Sequence, residues 1–161
     1  MRVRVPMAVF LTLAVAAACA PEPDADVPLD PAVLQAAADS LLDQSARAWN
    51  AGDLEGFVQW YRRGPETTFL GSRGLMHGWE AIHDRYAPAF EPGAERDSLR
   101  FEGLESRPLA SGLGLATARY VLFRSDSVTS AGVFTLILRD TREGWRIIHD
   151  HTSELTVEPD R

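Results

Sequence analysis

The chain has 161 residues, a net charge of −7 and 45% hydrophobic residues, which fits one ordinary globular domain. All 16 basic residues are Arg and they are scattered. With no basic stripe to neutralise phosphates, a nucleic-acid partner is excluded.

Residues 1–19 read as a secretory leader. Arg2 and Arg4 form a basic n-region, and Met7 to Ala18 is an apolar stretch too short to span a membrane. Cys19 is the only cysteine, so no intramolecular disulfide can form. Ala16-Ala17-Ala18-Cys19 resembles a bacterial lipobox, which implies cleavage before Cys19, lipidation of its thiol and anchoring to the cell envelope on the periplasmic side. Residues 20–30 are rich in Pro and Asp and read as a disordered tether.

The folded domain is expected over residues 31–158. Asp30-Pro31 reads as an N-cap and first helical residue, and Leu34, Ala38, Leu41, Ser45 and Trp49 recur at helical spacing up to Gly52. Asp53 caps a second helix from Leu54 to about Tyr61. Thr67 to Leu70 and Leu75 to His77 form a short hairpin around Gly71-Ser72-Arg73-Gly74. Gly78 opens a third helix with Trp79, Ile82, His83 and Tyr86 on one side. Four strands follow: Ser98 to Arg107, Leu113 to Arg124, Val128 to Asp140 and Gly144 to Leu155. Short loops between consecutive strands require antiparallel pairing. The expectation is an α+β domain in which three N-terminal helices pack on a curved antiparallel sheet and leave a conical cavity.

Three segments carry a resemblance: Trp49-Asn50-Ala51-Gly52-Asp53, Gly78-Trp79-Glu80-Ala81-Ile82, and the closing strand Gly144-Trp145-Arg146-Ile147-Ile148-His149-Asp150-His151-Thr152-Ser153. Through them the chain resembles the nuclear transport factor 2-like superfamily, in its SnoaL-like, calcium/calmodulin-dependent kinase association-domain-like branch. The resemblance implies a cone-shaped fold, a central pocket and homodimers packed through the sheet. It implies no single activity, since isomerases, cyclases, dehydratases and oligomerisation modules share the fold.

Strict alternation puts Trp145, Ile147, His149, His151 and Ser153 on one face of the closing strand. His149 and His151 are therefore the candidate catalytic residues, because imidazole titrates near neutrality. They equally suit hydrogen bonding that shapes the pocket or a dimer face. A bulge would reverse the assignment and turn Asp150 inward. H-x-H supplies two metal ligands, but no spacing supplies a third, so neither metal nor cofactor is expected. Trp49, Tyr61, Trp79, Tyr86 and Tyr120 are the aromatic candidates for the cavity, with packing as the plainer role for most. Arg119 or Arg139 could hold a carboxylate there or pair with a surface acid. In the related ketosteroid isomerase a base works with an oxyanion hole. Its motif positions do not map here, and the sequence sets no Tyr opposite a carboxyl. The readings are, in order, an envelope-anchored protein binding a small apolar molecule, an isomerase-, cyclase- or dehydratase-type enzyme with a pocket His as base, and an oligomerising module.

Overall fold

The computed structural model describes residues 28–156. The leader, Cys19 and most of the tether lie outside the described residues. None of the described helices is long and apolar enough to cross a membrane.

Helix α1, Pro31–Ala51, starts where the Asp30 side chain accepts a 2.8 Å hydrogen bond from the Ala32 N–H. Its buried stripe is Leu34, Ala38, Leu41, Leu42, Ser45 and Trp49, at the three-and-four spacing of one helix face. Gly52 ends it at φ 78°, a left-handed conformation that glycine adopts without strain. Helix α2, Leu54–Val58, is capped by Asp53 through the Gly56 N–H. It stops short of the expected Tyr61. Residues 60–62 instead run alongside the last strand, where Ile147 donates to the Trp60 carbonyl at 2.8 Å and accepts from the Arg62 N–H at 2.9 Å.

Strands β1, Thr68–Gly71, and β2, Gly74–His77, form the hairpin ahead of helix α3, Trp79–Tyr86, and a 3₁₀ turn over Ala87–Phe90. Strands β3, Ser98–Ala110, β4, Leu113–Arg124, β5, Ser127–Thr141, and β6, Gly144–Leu155, complete one sheet in the order β2-β1-β6-β5-β4-β3. The sheet is mixed rather than antiparallel, because β1 pairs parallel with β6. Short turns dictate the direction of neighbours from β3 to β6. They say nothing about β1, which reaches β6 only after a helix and four strands. The three helices are also not one N-terminal layer: the hairpin separates α3 from α1 and α2, and α2 has only 5 residues.

The motif Trp49-Asn50-Ala51-Gly52-Asp53 proves to be a clamp between α1 and the sheet. Trp49 Nε1 donates to the Asp97 carbonyl at 2.8 Å. The Asn50 side chain both donates to the Leu99 carbonyl and accepts its N–H, at 2.9 and 2.8 Å. Farther up, α1 crosses β4 at Gly114, where any Cβ would overlap the Leu34 side chain. Gly114→Val should therefore cost about 1–3 kcal/mol of stability, the usual penalty for overfilling a packed site. Urea denaturation would measure it, and an unchanged midpoint would contradict the close crossing.

Candidate functional site

Beneath the sheet lies a cavity of about 220 Å³. Its aromatic wall is Trp49, Phe57, Tyr61, Phe69, Tyr86, Phe101, Tyr120 and Phe134. Their rings meet edge to face: Trp49 with Phe57 at 5.1 Å, Phe57 with Tyr86 at 4.8 Å, and Phe101 with Phe134 at 5.4 Å between centroids. Gly132 faces Tyr120 across β4 and β5 and leaves room for the Tyr120 ring, which a Cβ would strike.

The polar centre of the cavity is Asp150, 5% exposed. Its Oδ2 accepts a 2.6 Å hydrogen bond from the Tyr61 hydroxyl, and Oδ1 accepts one from Thr152 Oγ1 at 2.7 Å. Burial pushes the Asp150 carboxyl above its ordinary value, against the pull of the Tyr61 and Thr152 hydrogen bonds and of the His149 and Arg85 charges. Burial likewise raises the Tyr61 and Tyr86 hydroxyls, with the charge of Asp150 adding to it. Both phenols thus stay protonated as donors.

Asp150 faces inward because β6 carries a bulge. Ile137 of β5 pairs with His149, and the next residue, Leu138, pairs with Ile147. Ile148 is the unpaired extra residue, so Ile147 and Asp150 share the cavity face although their positions differ by three. The inward placement of His149 and His151 expected from strict alternation is corrected accordingly. Neither borders the cavity. His149 Nδ1 is bonded to Thr68 Oγ1 at 2.7 Å and ties β6 to β1. His151 is exposed and borders a groove with Arg119, Thr135 and Ser153.

Of the aromatic candidates, Trp49, Tyr61, Tyr86 and Tyr120 line the cavity and Trp79 does not. Trp79 packs between α2 and α3, donating to the Val58 carbonyl at 3.3 Å under the Arg63 guanidinium. Arg119 lies within 3.5 Å of Glu102 at the surface, and Arg139 is also exposed. Asp150 faces the cavity as the bulge alternative requires, and the cation there is Arg85, which the sequence does not single out, nor does it single out Phe57 or Phe69 as cavity residues. Phe57 and Phe69 were legible as inward aromatics. Arg85 carried no signal, since its neighbour Tyr86 already filled the inner side of α3. Among the described residues no cluster of three or more His, Cys, Asp or Glu side chains could hold a metal ion.

A family model described as SnoaL-like domain matches residues 38–158. The chain belongs to the SnoaL-like domain family. No curated protein matches it. Among solved structures, this SnoaL-like domain is similar to a nuclear transport factor 2-like protein of unknown function from Shewanella oneidensis. The two are 27% identical with a TM-score of 0.65, over 73% of this chain and 97% of that one. A candidate dehydratase of the same superfamily from Streptomyces avermitilis is 14% identical with a TM-score of 0.65, over 80% of this chain and 100% of that one. A candidate aromatic ring hydroxylase from Novosphingobium aromaticivorans is 15% identical with a TM-score of 0.63, over 80% and 94%. The last two establish the shared cone-shaped fold alone.

The raised Asp150 pKa has a consequence for stability. The folded state binds this proton more tightly than the unfolded chain, whose Asp titrates near ~3.9. Stability from this group is therefore present at low pH and is lost as pH rises through its folded-state value. Between pH 4 and pH 8 the wild type should lose stability relative to Asp150→Asn, read by urea denaturation of both proteins. A difference that is flat with pH, or grows in favour of the wild type, would contradict the assignment.

Proposed function

We propose that this SnoaL-like domain binds a small, largely apolar molecule in the cavity under β6, with the polar end of that molecule directed at Asp150. The observation that carries the reading is a single buried carboxyl set in an aromatic-lined space of about 220 Å³. An apolar cavity of ~150 Å³ accommodates benzene, so one ring with a short substituent is the size that fits. Polar groups this few, converging in an apolar pocket, orient a ligand rather than solvate it.

A second reading is an enzyme of the isomerase, cyclase or dehydratase kind. It draws on one feature: a carboxyl whose pKa burial has raised is better matched to taking up and returning a proton near neutrality. Asp150 then replaces His149 and His151 as the candidate base, since neither imidazole borders the cavity.

We further propose, from the sequence, that the protein is lipidated at Cys19 and anchored to the cell envelope. Homodimerisation through the outer sheet face is proposed with it. Val133, 45% exposed beside the groove that His151 borders, supports that face as the contact.

The binding reading is tested by ligand-observed NMR with benzyl alcohol and cyclohexanone as neutral probes. Ser45 lies buried on α1 against the cavity, so Ser45→Phe should fill the space and abolish binding with the circular dichroism spectrum unchanged. His151→Ala should bind as the wild type does. Binding that survives Ser45→Phe, or is lost in His151→Ala, would refute the reading.

A further inference from the structure

We propose that Arg85 is an anion anchor in this cavity and that the occupant is a ring-sized monocarboxylate. The inference rests on the small-molecule reading above and names the chemistry of that ligand.

Arg85 lies in the last turn of α3 and borders the cavity. Its guanidinium carbon sits 4.6 Å from the centroid of the Phe69 ring and 5.8 Å from that of Tyr86. Stacking of this kind holds the planar fork in place but gives Nε no acceptor. Nε is buried and has no hydrogen-bond partner among the described residues. The other half-buried arginines are provided for. Arg62 approaches Glu66, Arg146 approaches Glu143 and donates to the Trp145 carbonyl, and Arg96 donates to the Trp49 and Ala89 carbonyls. Arg85 takes part in none of the ion pairs among the described residues. A buried donor left without a partner costs free energy that an arriving acceptor recovers.

The chemistry of the acceptor follows from its surroundings. Both Asp150 oxygens are taken up by Tyr61 and Thr152, and Arg85 forms no ion pair with it, so the guanidinium borders the cavity without an ion-pair partner among the described residues. One anionic charge balances it, whereas a second would face an apolar wall and Asp150 itself. A carboxylate matches the guanidinium fork in plane and spacing. The cavity's apolar remainder holds one ring.

The test compares benzoate with its neutral isostere benzamide by isothermal titration calorimetry at fixed pH and ionic strength. A charged hydrogen bond of this kind corresponds to about a tenfold to hundredfold preference for benzoate. Arg85→Gln should remove that preference, with benzoate affinity falling tenfold or more beyond any fall for benzamide. Arg85→Lys should keep part of it, because the charge remains and the fork does not. Equal affinity of the wild type for the two probes would overturn the proposal while leaving the small-molecule reading intact. So would an undiminished benzoate preference in Arg85→Gln. If the wild type binds neither probe, and the neutral probes above also fail, both readings fall together. The wild-type comparison decides the matter even if a variant does not fold.

Discussion

The placement of one residue in β6 determines what the cavity contains. Ile148 has no partner on β5, and it sits where β6 changes neighbours on its other edge. Before it, Ile147 bridges residues 60–62; after it, His149 to His151 pair with β1. A bulge absorbs the mismatch between those two partners and turns the side chains beyond it over. Asp150 goes in and the histidines go out. The same bridge at Ile147 brings Tyr61 to the strand, where its hydroxyl meets Asp150. Carboxylate burial in an apolar wall is costly unless hydrogen bonds compensate. Tyr61 and Thr152 supply them from the residues the bulge brings inward or alongside.

The segments that make the family visible do a different job. Trp49, Asn50, Gly52 and Asp53 end one helix, start the next and clamp both to β3. Gly78 and Trp79 fix the start of α3 in the same manner, with the Gly78 N–H on the Thr67 carbonyl and the Trp79 indole on Val58. These contacts hold α1 and α3 over the sheet and so keep the cavity open. They specify the architecture, and the chemistry of the cavity rests on Asp150, Arg85 and the aromatic lining between them.

This division explains what the sequence disclosed. Helical spacing from Leu34 to Trp49 and the strand patterns from Ser98 onward read correctly, because each is a local periodicity with a clear turn at its end. Tyr61, Tyr86 and Tyr120 were legible as cavity residues because an aromatic on an inward face has few other places to go. The parallel pairing of β1 with β6 was not legible, since no turn connects them. The direction of Asp150 was not either. Period-two alternation assigns it outward, and only the partners of Ile147 and His149, far away in sequence, reveal the interruption. Arg85 escaped for a related reason: its position on α3 acquires meaning only once Phe69 and Asp150 are seen beside it.

The most direct measurement is a carbon-detected NMR titration of the Asp150 side-chain carboxyl in the wild type and in Tyr61→Phe. An inward, buried Asp150 titrates above its ordinary value, and loss of the Tyr61 hydrogen bond raises it further. An Asp150 that titrates as an ordinary surface carboxyl and is indifferent to Tyr61 would contradict the bulge, the cavity's polar centre and the ligand chemistry argued from them.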